Sequence, residues 1–244
     1  MGIDWRVNVV GSASSTQDLA QDAAEAGTAE GYVIQALQQT AGRGRHGNDW
    51  LSPMGNLYLS FVLRPERLAP GHAGQLAFVT AVALSDAMGA YLDPERHCKT
   101  LKWPNDILVD GLKISGILLE SNIKNDSEIE YLVVGVGVNV FAPPEGAAGL
   151  DALKEKPVYV NVFRDDFLAC FAESYGLWRE KGFAPIREEW LKQAHGLNGP
   201  MSVRFPEVSY SGIFDGLDES GALLLDQEGR TRTFTAGEVY FGNV

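Results

Sequence analysis

Gln39-Thr-Ala-Gly-Arg-Gly-Arg-His-Gly-Asn-Asp-Trp50 packs three glycines, two arginines and a histidine into one short run. Gly42, Gly44 and Gly47 let a backbone come close to a ligand. Arg43 and Arg45 carry planar donor forks that suit carboxylate or phosphate, and Trp50 ends the run with a large flat surface. Such a loop can clamp an anionic ligand that has a flat part, although the same residue types also make plain surface turns. The spacing Gly-x-Gly-x-x-Gly at 42–47 is that of a dinucleotide-binding turn, which requires a helix opening directly out of the glycines. Here Trp50, Ser52, Pro53 and Gly55 follow, and then Asn56–Arg64 reads as a strand. A Rossmann site is therefore excluded. So is a Walker loop, because no Gly-Lys-Ser/Thr follows.

Upstream, Trp5–Val10 and Gly31–Leu37 read as strands. Between them Ser12, Ser14, Ser15 and Thr16 offer N-caps for a helix through about Ala26, with Gly27 as its stop. Exposed amides and hydroxyls at such a helix start can also hold a polar ligand. Downstream, Pro70–Leu92 reads as a long helix with Leu76, Val79, Ala83, Ala87 and Ala90 on a core face. Thr100–Asp110 brings Lys102 to the end of a strand, where it either snorkels to solvent or points into a site. Pro104 breaks the ladder, Asn105 and Asp106 suit the turn, and Asp110-Gly111 signals a hairpin returning through Lys113–Glu120. Glu130–Val140 is a buried strand whose Gly135 and Gly137 mark a close approach, with Asn139 near its end. Phe141–Leu150 reads as a mobile loop suited to be a lid. Helices over Val162–Lys181 and Pro185–His195 precede a hinge at Gly196–Pro200 and five short strands. This pattern divides the chain into a main domain, 1–196, and a small β domain, 197–244.

The 244 residues suffice for a sizeable core, and the net charge of −12 argues against a nucleic-acid partner held by bulk electrostatics. It also makes the Gly-Arg loop stand out. Cys98 and Cys170 are far apart, which fits a reducing compartment and no zinc site. No apolar run reaches membrane-spanning length and the N-terminus has no signal-peptide pattern, so no membrane is expected and a cytoplasmic location is.

Several separate motifs resemble the signature segments of biotin–protein ligases: Gly42–Gly47 with Trp50, Lys102-Trp-Pro-Asn-Asp106, Gly116-Ile-Leu-Leu-Glu120, Asn56–Ser60 and Gly135–Asn139. Gly221–Leu225 is similar to that family's C-terminal segment. The resemblance implies an α+β fold: a mixed β-sheet catalytic domain related to class II aminoacyl-tRNA synthetases, followed by a small SH3-like β-barrel. It implies the short, ligase-only class without an N-terminal DNA-binding domain. It also implies ATP-dependent activation of biotin as biotinyl-5′-AMP, with Mg²⁺ accompanying ATP, and transfer to a lysine of a biotin carboxyl carrier domain.

Carried onto this sequence, the resemblance assigns Ser15, Thr16, Gln39, Arg43, Gly44, Arg45, Trp50, Lys102 and Gly116 to biotin. It assigns Arg43, Arg45, Trp50, Lys102 and Asn139 to ATP, with Lys102 and Arg45 in catalysis. The Mg²⁺ ligands stay open, as does the choice between monomer and homodimer. Asn48 and Asp49 stand where the family often has a further Arg, which removes a phosphate contact. A lipoate or octanoyl ligase shares the implied fold, and a biotin-binding protein with a dead site is the non-enzyme alternative; the Lys-Trp-Pro-Asn-Asp run and intact Lys102 and Arg45 favour the biotin ligase. If the Gly-Arg loop closes over the intermediate, amide hydrogen exchange across residues 39–50 slows on adding biotin and ATP; unchanged exchange would refute the closure.

Overall fold

The structure, a computed structural model, describes residues 2–124 and 128–241. Its larger sheet is built from β1 (Arg6–Val10), β2 (Tyr32–Ala36), β3 (Leu57–Leu63), β4 (Lys99–Lys102), β5 (Asp106–Val109), β6 (Leu112–Lys124) and β7 (Glu128–Val138). These seven strands lie in the order β1-β2-β3-β7-β6-β5-β4. Only β1 and β2 pair in parallel, because α1 (Thr16–Glu25) crosses between them; every other neighbour is antiparallel.

Alternation along the central strands gives the sheet two different faces. Leu57, Leu59, Phe61 and Leu63 of β3, with Leu132, Val134, Val136 and Val138 of β7, enter the main core. That core is covered by α2 (Gln75–Gly89), α4 (Val160–Lys181) and α5 (Ala184–Lys192). The opposite face carries Val62, Tyr131 and Val133, packed against Ala20 and Ala24 of α1. The expected helix from Pro70 is in fact a 3-10 turn, Pro70–His72, followed by α2, with Gly74 at the junction. α2 also differs from a one-faced amphipathic helix. Of its 15 residues, 13 are buried, because the sheet takes one side and α4 and α5 the other. Ala90, assigned to the core face, lies exposed just past its end.

The segment Phe141–Leu150, expected to be a mobile lid, is anchored at its start. Asn56 Oδ1 accepts from the amides of Val140, Phe141 and Ala142 at 2.9, 3.1 and 2.9 Å. A short helix, α3 (Leu150–Leu153), follows it.

After a turn, the chain forms a second antiparallel sheet from β8 (Pro200–Arg204), β9 (Ser209–Leu217), β10 (Leu223–Gln227), β11 (Arg230–Phe234) and β12 (Glu238–Phe241), in the order β11-β10-β9-β8-β12. These match the five expected strands. The turn before β10 is fastened to the first unit: Trp103 Nε1 donates to Gly221 O at 3.1 Å. Gly221 has φ 91°. A Cβ there would come within 2.7 Å of the Phe78 ring on α2, which itself packs edge-on against Trp190 at 5.4 Å. Gly221→Ala should therefore destabilise the fold by about 1–3 kcal/mol through overpacking and backbone strain. A thermal unfolding midpoint equal to that of the parent would contradict this packing.

Candidate active site

On the face that α1 only partly covers, the alternation that placed Val133 under the helix next presents Gly135 and Gly137, which have no side chains. Register sets Ser60 beside Gly135 on one flank and Gly116 beside Gly137 on the other. The result is a cavity of about 290 Å³ floored by these residues. Its walls come from the start of α1, the Gly-Arg loop, the β4–β5 turn and β12.

The glycines are needed because other groups lie directly on them. The Trp50 indole covers Gly116 and Gly137, where a Cβ would stand 2.9 and 2.6 Å from its ring atoms. The side-chain amide of Gln17 lies over Gly135, where a Cβ would stand 2.5 Å from Oε1. Trp50 Nε1 is buried without a partner in the fold. It lies against the Gly137 backbone, where a Cβ would stand 2.6 Å from it.

A polar chain ties the loop to the helix and the sheet. Ser52 Oγ donates to Trp50 O at 2.8 Å and accepts from Gln39 Nε2 at 2.9 Å. Gln39 Oε1 accepts from the Thr16 amide at 2.8 Å and from the Thr16 hydroxyl at 3.1 Å. The hydroxyls of Thr16 and Ser60 are 2.8 Å apart, and Ser60 donates to Gln17 Oε1 at 2.9 Å. Ser15 is the N-cap of α1, accepting from the Gln17 amide at 3.3 Å. Capping and cavity lining therefore coexist at Ser15.

The two loop arginines have different surroundings. Arg43 is held outside the floor by Asp18 of α1 and by Glu120 of β6, the latter at 3.3 Å. Arg45 is more buried and reaches Asn105 Oδ1 at 3.4 Å. Its burial lowers its pKa, while Asp106 and Glu238 pull it back up. Asn105 in turn donates to Ile117 O at 2.6 Å. The turn residues Asn105 and Asp106 therefore do more than shape the turn, since Asp106 pairs with Lys113 at 2.7 Å.

Lys102 lines the cavity, and its Nζ lies 6.0 Å from the centre of the Tyr240 ring. Together with Lys102, the cavity gathers Ser15, Thr16, Gln39, Arg43, Gly44, Arg45, Trp50 and Gly116 of the expected residues. Asn139 is not among its lining residues. It is buried at the end of β7, where its amide donates to Ile114 O and its carbonyl accepts from Leu150, so the backbone there turns away from the floor. Its Oδ1 has no partner in the fold.

Sequence reading passed over Lys113, Glu238 and Tyr240. Strict alternation puts Lys113 and Gly116 on opposite faces. A bulge between β5 and β6, with Ile107 opposite Ser115 but Leu108 opposite Lys113, reverses that parity. Lys113 consequently reaches back over the floor, with Nζ 5.2 Å from the Trp50 ring centre. Glu238 and Tyr240 reach the cavity only because β12 pairs with β8 beside the β4–β5 turn.

Residues 9–139 match the biotin/lipoate A/B protein ligase family, and residues 202–242 match the biotin protein ligase C terminal domain. A chain with this mixed sheet, this loop and these matches belongs to the biotin/lipoate A/B protein ligase family. Within that family its relatives are biotin ligases. It is 39% identical over 219 residues to the biotin–[acetyl-CoA-carboxylase] ligase of Paracoccus denitrificans, covering 86% of this chain and 90% of the relative. It is 34% identical over 238 residues to the bifunctional ligase/repressor BirA of Bacillus subtilis, covering 91% of this chain and 70% of that protein. The biotin protein ligase of Aquifex aeolicus, solved in complex with biotin and ATP, superposes with a TM-score of 0.82 at 26% identity, over 97% of this chain and 99% of that one.

Asp18 and Glu120 pin the loop through one exposed arginine, so each contact is worth well under 1 kcal/mol. Replacing both (Asp18→Asn with Glu120→Gln) should raise amide exchange at Gly44 and Asn48, which the loop's own hydrogen bonds now protect, by about fivefold or less. Exchange equal to the parent's would show that the ion pairs do not hold the loop.

Proposed function

We infer that this chain is an ATP-dependent biotin–protein ligase, activating biotin as biotinyl-5′-AMP and transferring it to a lysine of a biotin carboxyl carrier domain. The observation that carries this reading is the convergence of the Gly-Arg loop, two lysines and a glycine floor on one cavity, in a chain of this family. The Trp50 indole, seated on the glycine floor, offers a flat apolar surface to a ring system. The hydroxyls and amides of Ser15, Thr16 and Gln39 stand beside it for the polar edge of biotin's ureido ring.

Activation brings a carboxylate against a triphosphate, and two anions approach only where fixed positive charge offsets their repulsion. Lys113 over the floor and Lys102 on the side of β12 flank the meeting point, with Arg45 above. Among the described residues Lys102 has no ion pair, which leaves its compact ammonium free to touch both carboxylate and α-phosphate. Arg43, occupied by Asp18 and Glu120, contributes mainly by holding the loop in place, and its backbone stays available to the ligand.

Mg²⁺ would be held chiefly by ATP. No group of three or more His, Cys, Asp or Glu side chains able to bind a metal occurs among the described residues. This fits an ion that commonly uses one or two carboxylates plus substrate phosphates. When bound it would supply charge neutralisation at the phosphates.

The loop and Trp50 close the cavity from above, which would shield the acyl-adenylate from water. No helix among the described residues is long and apolar enough to cross a membrane. The unpaired Cys98 and Cys170 suit the cytoplasm. The strand β12 completes one wall, and the partner is the carrier domain of a biotin-dependent carboxylase.

The test is pyrophosphate release from ATP, which should require biotin and not respond to lipoate. Lys102→Ala should lower the rate by about 100-fold or more while leaving the thermal midpoint near that of the parent. Normal turnover in this variant would remove Lys102 from the chemistry, and a selective loss in Lys113→Ala would transfer its role there. Release with lipoate instead of biotin would overturn the substrate assignment.

A further inference from the structure

Once biotinyl-AMP is formed, the second substrate is a lysine side chain, which travels as an ammonium ion. A cavity carrying Arg45, Lys102 and Lys113 repels it. Some group must offset that repulsion where the amine enters. Three carboxylates line the cavity: Asp49, Asp106 and Glu238. Asp106 is already neutralised by Lys113 at 2.7 Å. Asp49 belongs to the Gly-Arg loop, bridged through its backbone to Arg43, so it moves with that loop.

Glu238 is different. It sits on β12, paired with Arg204 of β8 in a regular antiparallel ladder. It is exposed at the mouth and has no ion pair among the described residues. Its one side-chain partner is the Tyr240 hydroxyl, which donates to Oε2 at 3.0 Å. Tyr240 is itself held, with the Arg204 guanidinium 4.1 Å from its ring centre. The carboxylate is thus oriented, exposed and outside any ion pair among the described residues, on a strand that does not belong to the loop.

We propose that Glu238, oriented by Tyr240, receives the ammonium of the carrier's acceptor lysine at the cavity mouth. This rests on the biotin-ligase reading and assigns a step within it. The ammonium held by Glu238 first loses one proton to water. The nitrogen lone pair then forms a bond to biotin's carbonyl carbon, the bond from that carbon to the phosphate oxygen breaks, and AMP departs with the electron pair. The nitrogen, now positively charged, passes its surplus proton to solvent.

The experiment separates the two half-reactions in the full chain. Biotin-dependent pyrophosphate release reports the first. The second is followed by loading the protein with biotinyl-AMP and adding either a biotin carboxyl carrier domain or hydroxylamine, an amine that is uncharged at neutral pH. For Glu238→Gln, transfer to the carrier should fall roughly 100-fold relative to adenylate formation, while transfer to hydroxylamine stays within about threefold of the parent. Tyr240→Phe should shift the same ratio in the same direction by a smaller factor. An equal fall toward both amines, or a fall in adenylate formation as large as that in transfer, would overturn the proposal and place Glu238 with Arg45 instead. A parent protein that makes no adenylate from biotin would overturn the ligase reading and this step with it.

Discussion

The site depends on a patch of sheet backbone that carries no side chains. Cores exclude voids, so a seven-stranded sheet stays uncovered only where something prevents neighbours from filling it. Here Gly116, Gly135 and Gly137 stand at adjoining register positions on β6 and β7. Their missing side chains let Trp50 and the Gln17 amide lie directly on the backbone. A methyl group on any of the three would displace those groups, and with them the Ser52–Gln39–Thr16–Ser60 chain that connects loop, helix and sheet. Loop position, helix start and cavity depth therefore follow from one constraint on backbone approach.

Electrostatics adds a second layer. In a chain with net charge −12, cations are concentrated at this cavity. They are divided between structural and available ones: Arg43 is held by two carboxylates and Lys113 by one, whereas Arg45 and Lys102 keep most of their charge for a ligand. The division shows how one short Gly-Arg run can both fasten a loop and equip a site.

Much of this was legible in the residues. The Gly-Arg loop, the strand glycines and the placement of Lys102 at a strand end all rest on local chemistry, and each came out in the cavity or its floor. What escaped was set by pairing over distance. Lys113 faces the site because of a bulge that reverses strand parity, and nothing in Leu112–Ser115 announces that insertion. Glu238 and Tyr240 lie on a strand about 190 positions beyond the Gly-Arg loop, and only the β8–β12 ladder brings them in. The anchoring of the 141–149 segment was likewise hidden, because Asn56 resembles any polar residue at the head of a strand until its three backbone partners are seen. Asn139 shows the converse: a polar residue at a strand end, with a motif around it, that the backbone turns away from the floor.

The wall supplied by β12 also bears on how the molecule matures. A cavity whose floor comes from the middle of the chain and whose rim comes from residues near 240 has no partial version. The large sheet with its helix start and loop would present the glycines but lack the wall that β12 supplies. Ligand then favours the finished architecture over every incomplete one. Its occupancy becomes a gauge of native assembly, so that quality of folding and readiness for chemistry rise together.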